Sequence, residues 1–198
     1  MNALSATAYA VYCRLVFAVL APVAWLAVTL LPDHSLRWSA MRSCTRLLAK
    51  ATATPVRVNG LENLPTDGST YVLVANHASY LDSYALVASL PGTFRFVGKA
   101  ELAKTFLVRK PLENIHTEFF ERFDISKSIS GSRHLADVLQ AGHALMFFAE
   151  GTFTRVPGLM PFHLGAFTVA AEAGVPVIPV AIRGTRSILR ADNWLPRR

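Results

Sequence analysis

Between Arg14 and Asp33 the chain carries no charged side chain, and residues 15 to 31, LVFAVLAPVAWLAVTLL, form a 17-residue apolar run. A bilayer core takes roughly 20 residues of helix, so this run sits at the lower edge of spanning length. Three readings compete: a spanning or re-entrant membrane helix, an apolar helix packed on the domain or lying in the interface, and a cleaved signal peptide. The last is weakened because no small-x-small site follows Leu31. Pro22 is tolerated in a membrane helix when neighbours satisfy the carbonyl it frees, and Trp25 suits either depth or an interface. Arg37, Arg42, Arg46 and Lys50 follow the run, whereas only Arg14 and the terminal amine precede it. The positive-inside tendency then puts the remainder on the cytoplasmic face of the inner membrane. In residues 35 to 51, Leu36, Met41, Leu47 and Leu48 lie among these basic residues, in an imperfect amphipathic pattern. Such a helix either rests on anionic lipid or covers a core. Residues 1–52 are expected to be a membrane-associated helical segment.

Beyond Gly60 short apolar runs alternate with longer helical patterns, which is the sequence form of an α/β layer structure. Strands are expected at 71–75, 94–97, 117–120, 144–148 and 177–182, and helices at 79–90, 132–141 and 163–173. The runs are too continuously apolar for a sheet with one wet face. The expected fold is therefore α/β, with a mixed, largely parallel sheet carrying helices on both faces, over residues 53–198. No repeat, low-complexity stretch or linker marks a further domain.

The chain is 52% hydrophobic and only 17% charged, against about 25% charged in ordinary soluble proteins, so apolar surface is expected to meet a membrane. Its formal charge of +7 favours partners rich in phosphate. Nucleic acid is disfavoured, because no basic stripe interleaved with aromatic residues and no recognition-helix pattern occurs. The two cysteines, Cys13 and Cys44, provide neither a disulfide framework nor a structural zinc set. The six histidines show no metal-ligand spacing, and no metal is expected.

Three stretches at strand ends can carry chemistry. In NHASYLD, residues 76 to 82, His77 stands where open α/β sheets place ligands, and Asp82 follows five residues later. A neutral imidazole there can take a hydroxyl proton, with the carboxylate fixing its tautomer and stabilising the imidazolium. The plainer reading is a helix cap, since Ser79 followed three residues later by Asp82 resembles a capping box. In FFAEGTFTR, residues 147 to 155, Gly151 frees the backbone so that amides and the Thr152 hydroxyl can approach an anion, and Arg155 can add charge-assisted bonds. Glu150 fits an anion site only if it accepts from a substrate hydroxyl or orients an arginine. In FFERFD, residues 119 to 124, Arg122 offers a planar fork for phosphate, or pairs with Glu121 or Asp124 on the surface.

In this order, with VPVIPVAI at residues 175 to 182 as a fourth block, the motifs resemble those of the glycerolipid acyltransferases typified by lysophosphatidic acid acyltransferase. NHxSxxD matches fully at Asn76, His77, Ser79 and Asp82. The arginine block matches at Phe119, Phe120 and Arg122 but lacks its usual preceding glycine; Asn114 and Ile115 occupy that neighbourhood. The block commonly written FPEGTRS matches at Phe148, Glu150, Gly151 and Thr152, with Ala149 for the proline and Phe153 for the arginine. VGKAEL, residues 97 to 102, resembles the lysine-bearing segment and contributes Lys99.

The resemblance implies transfer of a fatty acyl group from acyl-CoA or acyl carrier protein to the free hydroxyl of a lysophospholipid, foremost 1-acyl-sn-glycerol 3-phosphate, without a cofactor. His77 and Asp82 are then the catalytic pair. Glu150, Gly151, Thr152, Arg122, Lys99 and Arg155 are then the substrate-binding residues. Phe153 keeps other acceptors open: lysophosphatidylethanolamine, glycerol 3-phosphate or a non-phosphorylated alcohol. A non-catalytic lipid-binding module is the alternative of a different class. Relatives of this kind usually continue past WLPRR, residues 194 to 198, with another strand and helix, so two readings stay open: a shortened variant, or a truncated product with an unpaired sheet edge.

Overall fold

In the computed structural model, residues 3–120, 125–154, 158–190 and 195–197 are described. Two helices, α1 (Ala3–Leu30) and α2 (His34–Ala51), precede five strands: β1 (Val72–Ala75), β2 (Arg95–Lys99), β3 (Glu118–Phe120), β4 (Leu145–Phe148) and β5 (Val177–Val180). Between and after the strands lie α3 (Leu81–Ser89), α4 (Phe106–Asn114), α5 (Ile125–Gln140), α6 (Gly165–Ala173) and α7 (Thr185–Ile188), with short 3₁₀ turns at Leu61–Asn63 and Ala100–Lys104. The strands form one sheet in the order β3-β2-β4-β1-β5. Each pairing is parallel.

Register decides where a site can form. Ala75 at the end of β1 pairs with Phe148 of β4 on one side and Val180 of β5 on the other. The residues that follow these three strands therefore emerge side by side at the carboxyl edge. Both faces of the sheet are covered, as continuously apolar strands require. Leu73, Ala75 and Met146 pack with Trp38 of α2, Leu86 of α3 and Val28 of α1. Val72, Val74 and Leu145 pack on the other face with Leu135, Val138 and Leu139 of α5 and Val169 of α6. The core is thus continuous across residue 52, and Trp38, 1% exposed, is part of it. Burying one such side chain contributes about 1.5–3 kcal/mol.

The basic residues after the apolar run serve this packing. Asp33 caps α2, accepting from Ser35 N at 2.8 Å and Leu36 N at 3.0 Å. Arg42 donates to the Val87 and Gly92 carbonyls and Arg46 to the Ala88 carbonyl, so two cations sit on the carbonyl end of α3, where its dipole is negative. Arg37 donates to the carbonyls of Leu31 and Asn114. Of the two readings of residues 35 to 51, covering the core is therefore the one these arginines serve.

Helix α1 runs back along α2. Tyr9 Oη donates to the Thr52 carbonyl at 2.8 Å and Tyr12 Oη to the Ala51 carbonyl at 3.0 Å, fastening its start to the end of α2. Its end is held by Asn114 Nδ2, which donates to the Val28 carbonyl at 3.1 Å. Its span Leu4–Leu30 is long and apolar enough to cross a membrane, and little of it is buried.

All five expected strands form, and α3, α5 and α6 fall within or around the expected helices. Helix α4 has no counterpart in the sequence reading, because Pro111 and the two cations Arg109 and Lys110 break up its apolar pattern. Proline removes the amide that would meet the carbonyl four residues earlier, here that of Leu107. Trp25 Nε1 of α1 donates to that carbonyl at 2.8 Å instead, so tertiary contact completes what local sequence leaves open.

Candidate active site

Strand β1 delivers Asn76 and His77 to the carboxyl edge. Asn76 clips that edge together: Nδ2 donates to the Ile182 carbonyl at 3.0 Å, while Oδ1 accepts from Ile182 N at 2.7 Å. The side chain thereby copies the pairing of a strand and carries the β1–β5 ladder one step further. His77 Nδ1 lies 2.8 Å from Asp82 Oδ2. The same oxygen accepts from Ala78 N at 2.6 Å and Ser79 N at 2.9 Å. Ser79 Oγ accepts from Leu81 N at 3.1 Å and donates to the Leu189 carbonyl at 2.8 Å. The two readings of this stretch are thus one structure: Asp82 caps the helix start and orients the imidazole with a single oxygen.

Asp82 is fully buried, and burial alone would raise its pKa. Hydrogen bonds from His77 and the Ala78 and Ser79 amides, with the Thr185 hydroxyl nearby, outweigh that and hold the carboxyl below its ordinary 3.8. Asp82 Oδ1 and Thr185 Oγ1 are both buried, and neither makes a hydrogen bond of good geometry; the Thr185 influence is accordingly one of proximity. With Nδ1 committed to Asp82, Nε2 is the imidazole nitrogen that can take a proton from a substrate. The His77 side chain keeps 16% of its surface exposed.

Glu150, 2% exposed, follows β4 at the same edge. Its Oε1 accepts from His77 N at 2.7 Å and its Oε2 from Met160 N at 2.6 Å. One buried carboxylate therefore fastens the loop of the base, its own loop and the segment leading to α6. Gly151 adopts φ 69°, a left-handed conformation that Gly enters without strain, which lets the chain turn sharply behind Glu150. Thr152 is partly exposed beside it.

Aromatic rings enclose the imidazole. Phe148 stacks on it with centroids 4.0 Å apart and planes 16° from parallel. Phe153 meets it edge-on at 4.4 Å and also touches Tyr80 at 4.8 Å. Lys99 ends β2, so it stands at the same edge, in a strand that neighbours β4. Arg122 and Arg155 lie outside the described residues. A cavity of about 1320 Å³ opens beside the site, lined by Tyr9, Cys13 and Phe17 of α1, Tyr80 and Tyr84 at α3, and Ile178 and Ile182. Among the described residues no group of His, Cys, Asp and Glu is arranged to hold a metal.

The sequence reading gave no role to Asn76, to the Phe148 ring or to the Met160 amide. Asn76 carried one usable signal, as an amide side chain directly after a buried strand, where a polar group needs a partner. The pairing of Glu150 with main-chain amides left no such trace, since amides have no sequence.

Residues 55–183 match the family model described as Acyltransferase. Over 134 residues the chain is 34% identical to the chloroplastic 1-acyl-sn-glycerol-3-phosphate acyltransferase of Arabidopsis thaliana, covering 68% of this chain and 37% of the relative. Over 155 residues it is 36% identical to the lyso-ornithine lipid O-acyltransferase of Pseudomonas aeruginosa, covering 78% of this chain and 55% of that one. The chain thus spans little more than a third of the plant protein's length and about half of the bacterial one's. The fold matches the crystal structure of the 1-acyl-sn-glycerophosphate (LPA) acyltransferase PlsC from Thermotoga maritima with a TM-score of 0.75, at 23% identity, over 98% of this chain and 79% of that one.

Proposed function

The chain belongs to the acyltransferase family, and from that premise we propose that it moves a fatty acyl group from a thioester to the free hydroxyl of a lysophospholipid. The donor is acyl-CoA or acyl carrier protein, and the acceptor is 1-acyl-sn-glycerol 3-phosphate, giving phosphatidic acid. The observation that carries this reading is the His77–Asp82 contact of 2.8 Å at the edge where Glu150, Gly151 and Thr152 also emerge.

His77 Nε2 takes the acceptor hydroxyl's proton as its oxygen attacks the thioester carbon. The C–O bond forms, the C–S bond breaks, and the thiolate leaves with the proton carried by the imidazolium. Asp82, ionised throughout the neutral range, balances the transient positive charge and holds the tautomer. Glu150 keeps the loop of the base in register with its own, and Gly151, Thr152 and Lys99, with Arg122 and Arg155, hold the acceptor's phosphate. The cavity beside Tyr80 takes acyl chain. Aligning two substrates lowers the barrier further than the base alone, whose share is about 10²- to 10⁴-fold.

The same proposal sets the chain on the cytoplasmic face of the inner membrane, with α1 lying in the interface. Both ends of α1 are fastened to the domain through Thr52, Ala51 and Asn114. A spanning α1 would therefore draw α2, with Arg37, Arg42, Arg46 and Lys50, into hydrocarbon, at a cost of several kcal/mol per charge.

One observation favours a second acceptor. Phe153 packs against the base where the family pattern has arginine, which replaces a phosphate contact with an aromatic wall. An acceptor without a phosphomonoester fits that wall better, and one relative acts, by its name, on a lyso-ornithine lipid.

The test is thiol release from an acyl-CoA by the purified chain, with lysophosphatidic acid, lysophosphatidylethanolamine or lyso-ornithine lipid offered separately. Acceptor-dependent thiol release matched by diacyl product supports acyl transfer. Thiol release indifferent to acceptor, or none with any acceptor, removes it.

A further inference from the structure

The start of α4 presents apolar side chains that the described residues leave largely uncovered. Phe106 is 57% exposed and Leu107 66%, and Val108 and, in the preceding turn, Leu102 are exposed as well. Consecutive helix positions lie about 100° apart, so three large apolar residues in succession cannot all face the domain. The first turn of a water-facing helix is ordinarily enriched in acidic groups, and this one carries none.

Two observations say what covers it. The patch continues into the exposed apolar face of α1: Trp25 lies against Phe106, with ring centroids 6.5 Å apart, and donates from Nε1 to the Leu107 carbonyl. That carbonyl is the one Pro111 leaves without an amide partner, so it is satisfied from within the protein and does not need water. Charge points the same way. Lys99, Lys104, Arg109 and Lys110 flank the apolar tip, with Glu101 and Glu113 as the acids and Arg109 3.6 Å from Glu113. Cations around a buried apolar tip suit the headgroup level of an anionic leaflet. Val108 also lines the cavity that runs to Tyr80, so the patch lies at that cavity's rim.

We propose that the start of α4 is a second membrane-insertion element, which dips into an anionic lipid leaflet beside α1 and sets the rim of the cavity at the lipid boundary. The proposal rests on the reading of the chain as a membrane-bound enzyme. It adds that the catalytic domain itself touches the bilayer, independently of α1.

The experiment uses the full chain with Cys13 and Cys44 replaced by alanine and a nitroxide at Leu107→Cys, at Leu15→Cys on α1 or at Glu172→Cys on α6. Each is bound to phosphatidylglycerol vesicles, and its collisions with oxygen and with a water-soluble nickel chelate are measured. The expected result is that labels at 15 and 107 gain oxygen contact and lose nickel contact, while the label at 172 stays open to nickel. A label at 107 that remains open to nickel while that at 15 is embedded overturns the proposal and spares the membrane reading. Both labels open to nickel overturns both. As a second measurement, Phe106→Glu is expected to weaken vesicle binding by about tenfold or more, the scale of one buried aromatic side chain. Its turnover of a detergent-dispersed acceptor is expected to be unchanged; unaltered vesicle binding contradicts the proposal.

Discussion

The main-chain amide of His77 donates to Oε1 of Glu150 at 2.7 Å, so the loop that carries the base and the loop that carries the EGT block are held as one unit. The other oxygen of the same carboxylate receives Met160 N, which adds the entry to α6. Glu150→Gln keeps the size and one acceptor, but its amide nitrogen cannot accept from a main-chain N–H. One buried amide then loses its partner, at a cost of about 1–3 kcal/mol. The expected outcome is a lowered melting temperature and a lower kcat, with the KM for the acceptor little changed. A raised acceptor KM at unchanged kcat would instead place Glu150 on the substrate.

Asp82 combines two tasks that substitution can separate. Asp82→Ala removes the cap and the orienting carboxylate together, and is expected to lose about 1 kcal/mol of stability along with turnover. Asp82→Asn can keep an oxygen for the Ser79 amide while losing the charge beside the imidazole, so stability at neutral pH is expected to hold better than turnover. Because the folded-state pKa of Asp82 lies below 3.8, its contribution to stability is present above that value and is lost as pH falls through the lower folded value. Acid unfolding curves of wild type and Asp82→Asn are expected to converge at low pH.

Phe153 provides a readout of acceptor class. Phe153→Arg restores a cation where the family pattern has one and is expected to lower the KM for lysophosphatidic acid relative to lyso-ornithine lipid, measured as the ratio of kcat/KM values. An unchanged ratio removes Phe153 from acceptor choice.

A histidine pair joins α2 to the turn before β3. The rings of His34 and His116 lie 4.6 Å apart, edge to face. Burial first, then the charges of His34, Arg95, Arg37 and His143, push His116 below its ordinary 6.5. The neutral form is thus favoured in the folded state. Its contribution to stability is complete above 6.5 and is lost as pH falls through that value towards the lower folded pKa. His116→Asn, which tolerates the local φ of 60°, is expected to flatten the decline of the denaturation midpoint between neutral and mildly acid pH.

The strands were legible because a buried parallel strand is an unbroken apolar run, and all five runs became strands. The His77–Asp82 pair was legible as a local spacing, although the spacing alone did not separate a cap from a catalytic pair; Asp82 turns out to act as the first and is placed for the second. Helix α4 was not legible, because the donor to its Leu107 carbonyl is Trp25, 82 residues away in sequence. The arginines of α2 left lipid and core equally open in the sequence, because their carbonyl partners at α3 belong to the main chain, which every residue shares. Side-chain partners leave marks in a sequence, whereas main-chain partners appear only once the fold is known.

Central to the account is a proton taken by Nε2 of His77. The direct measurement is the turnover of acyl-CoA with lysolipid acceptor by purified His77→Ala beside wild type, with circular dichroism and the melting temperature recorded on both. The account predicts a fall of at least about a hundredfold in kcat with the fold retained. Turnover within a few-fold of wild type by a folded His77→Ala would contradict it.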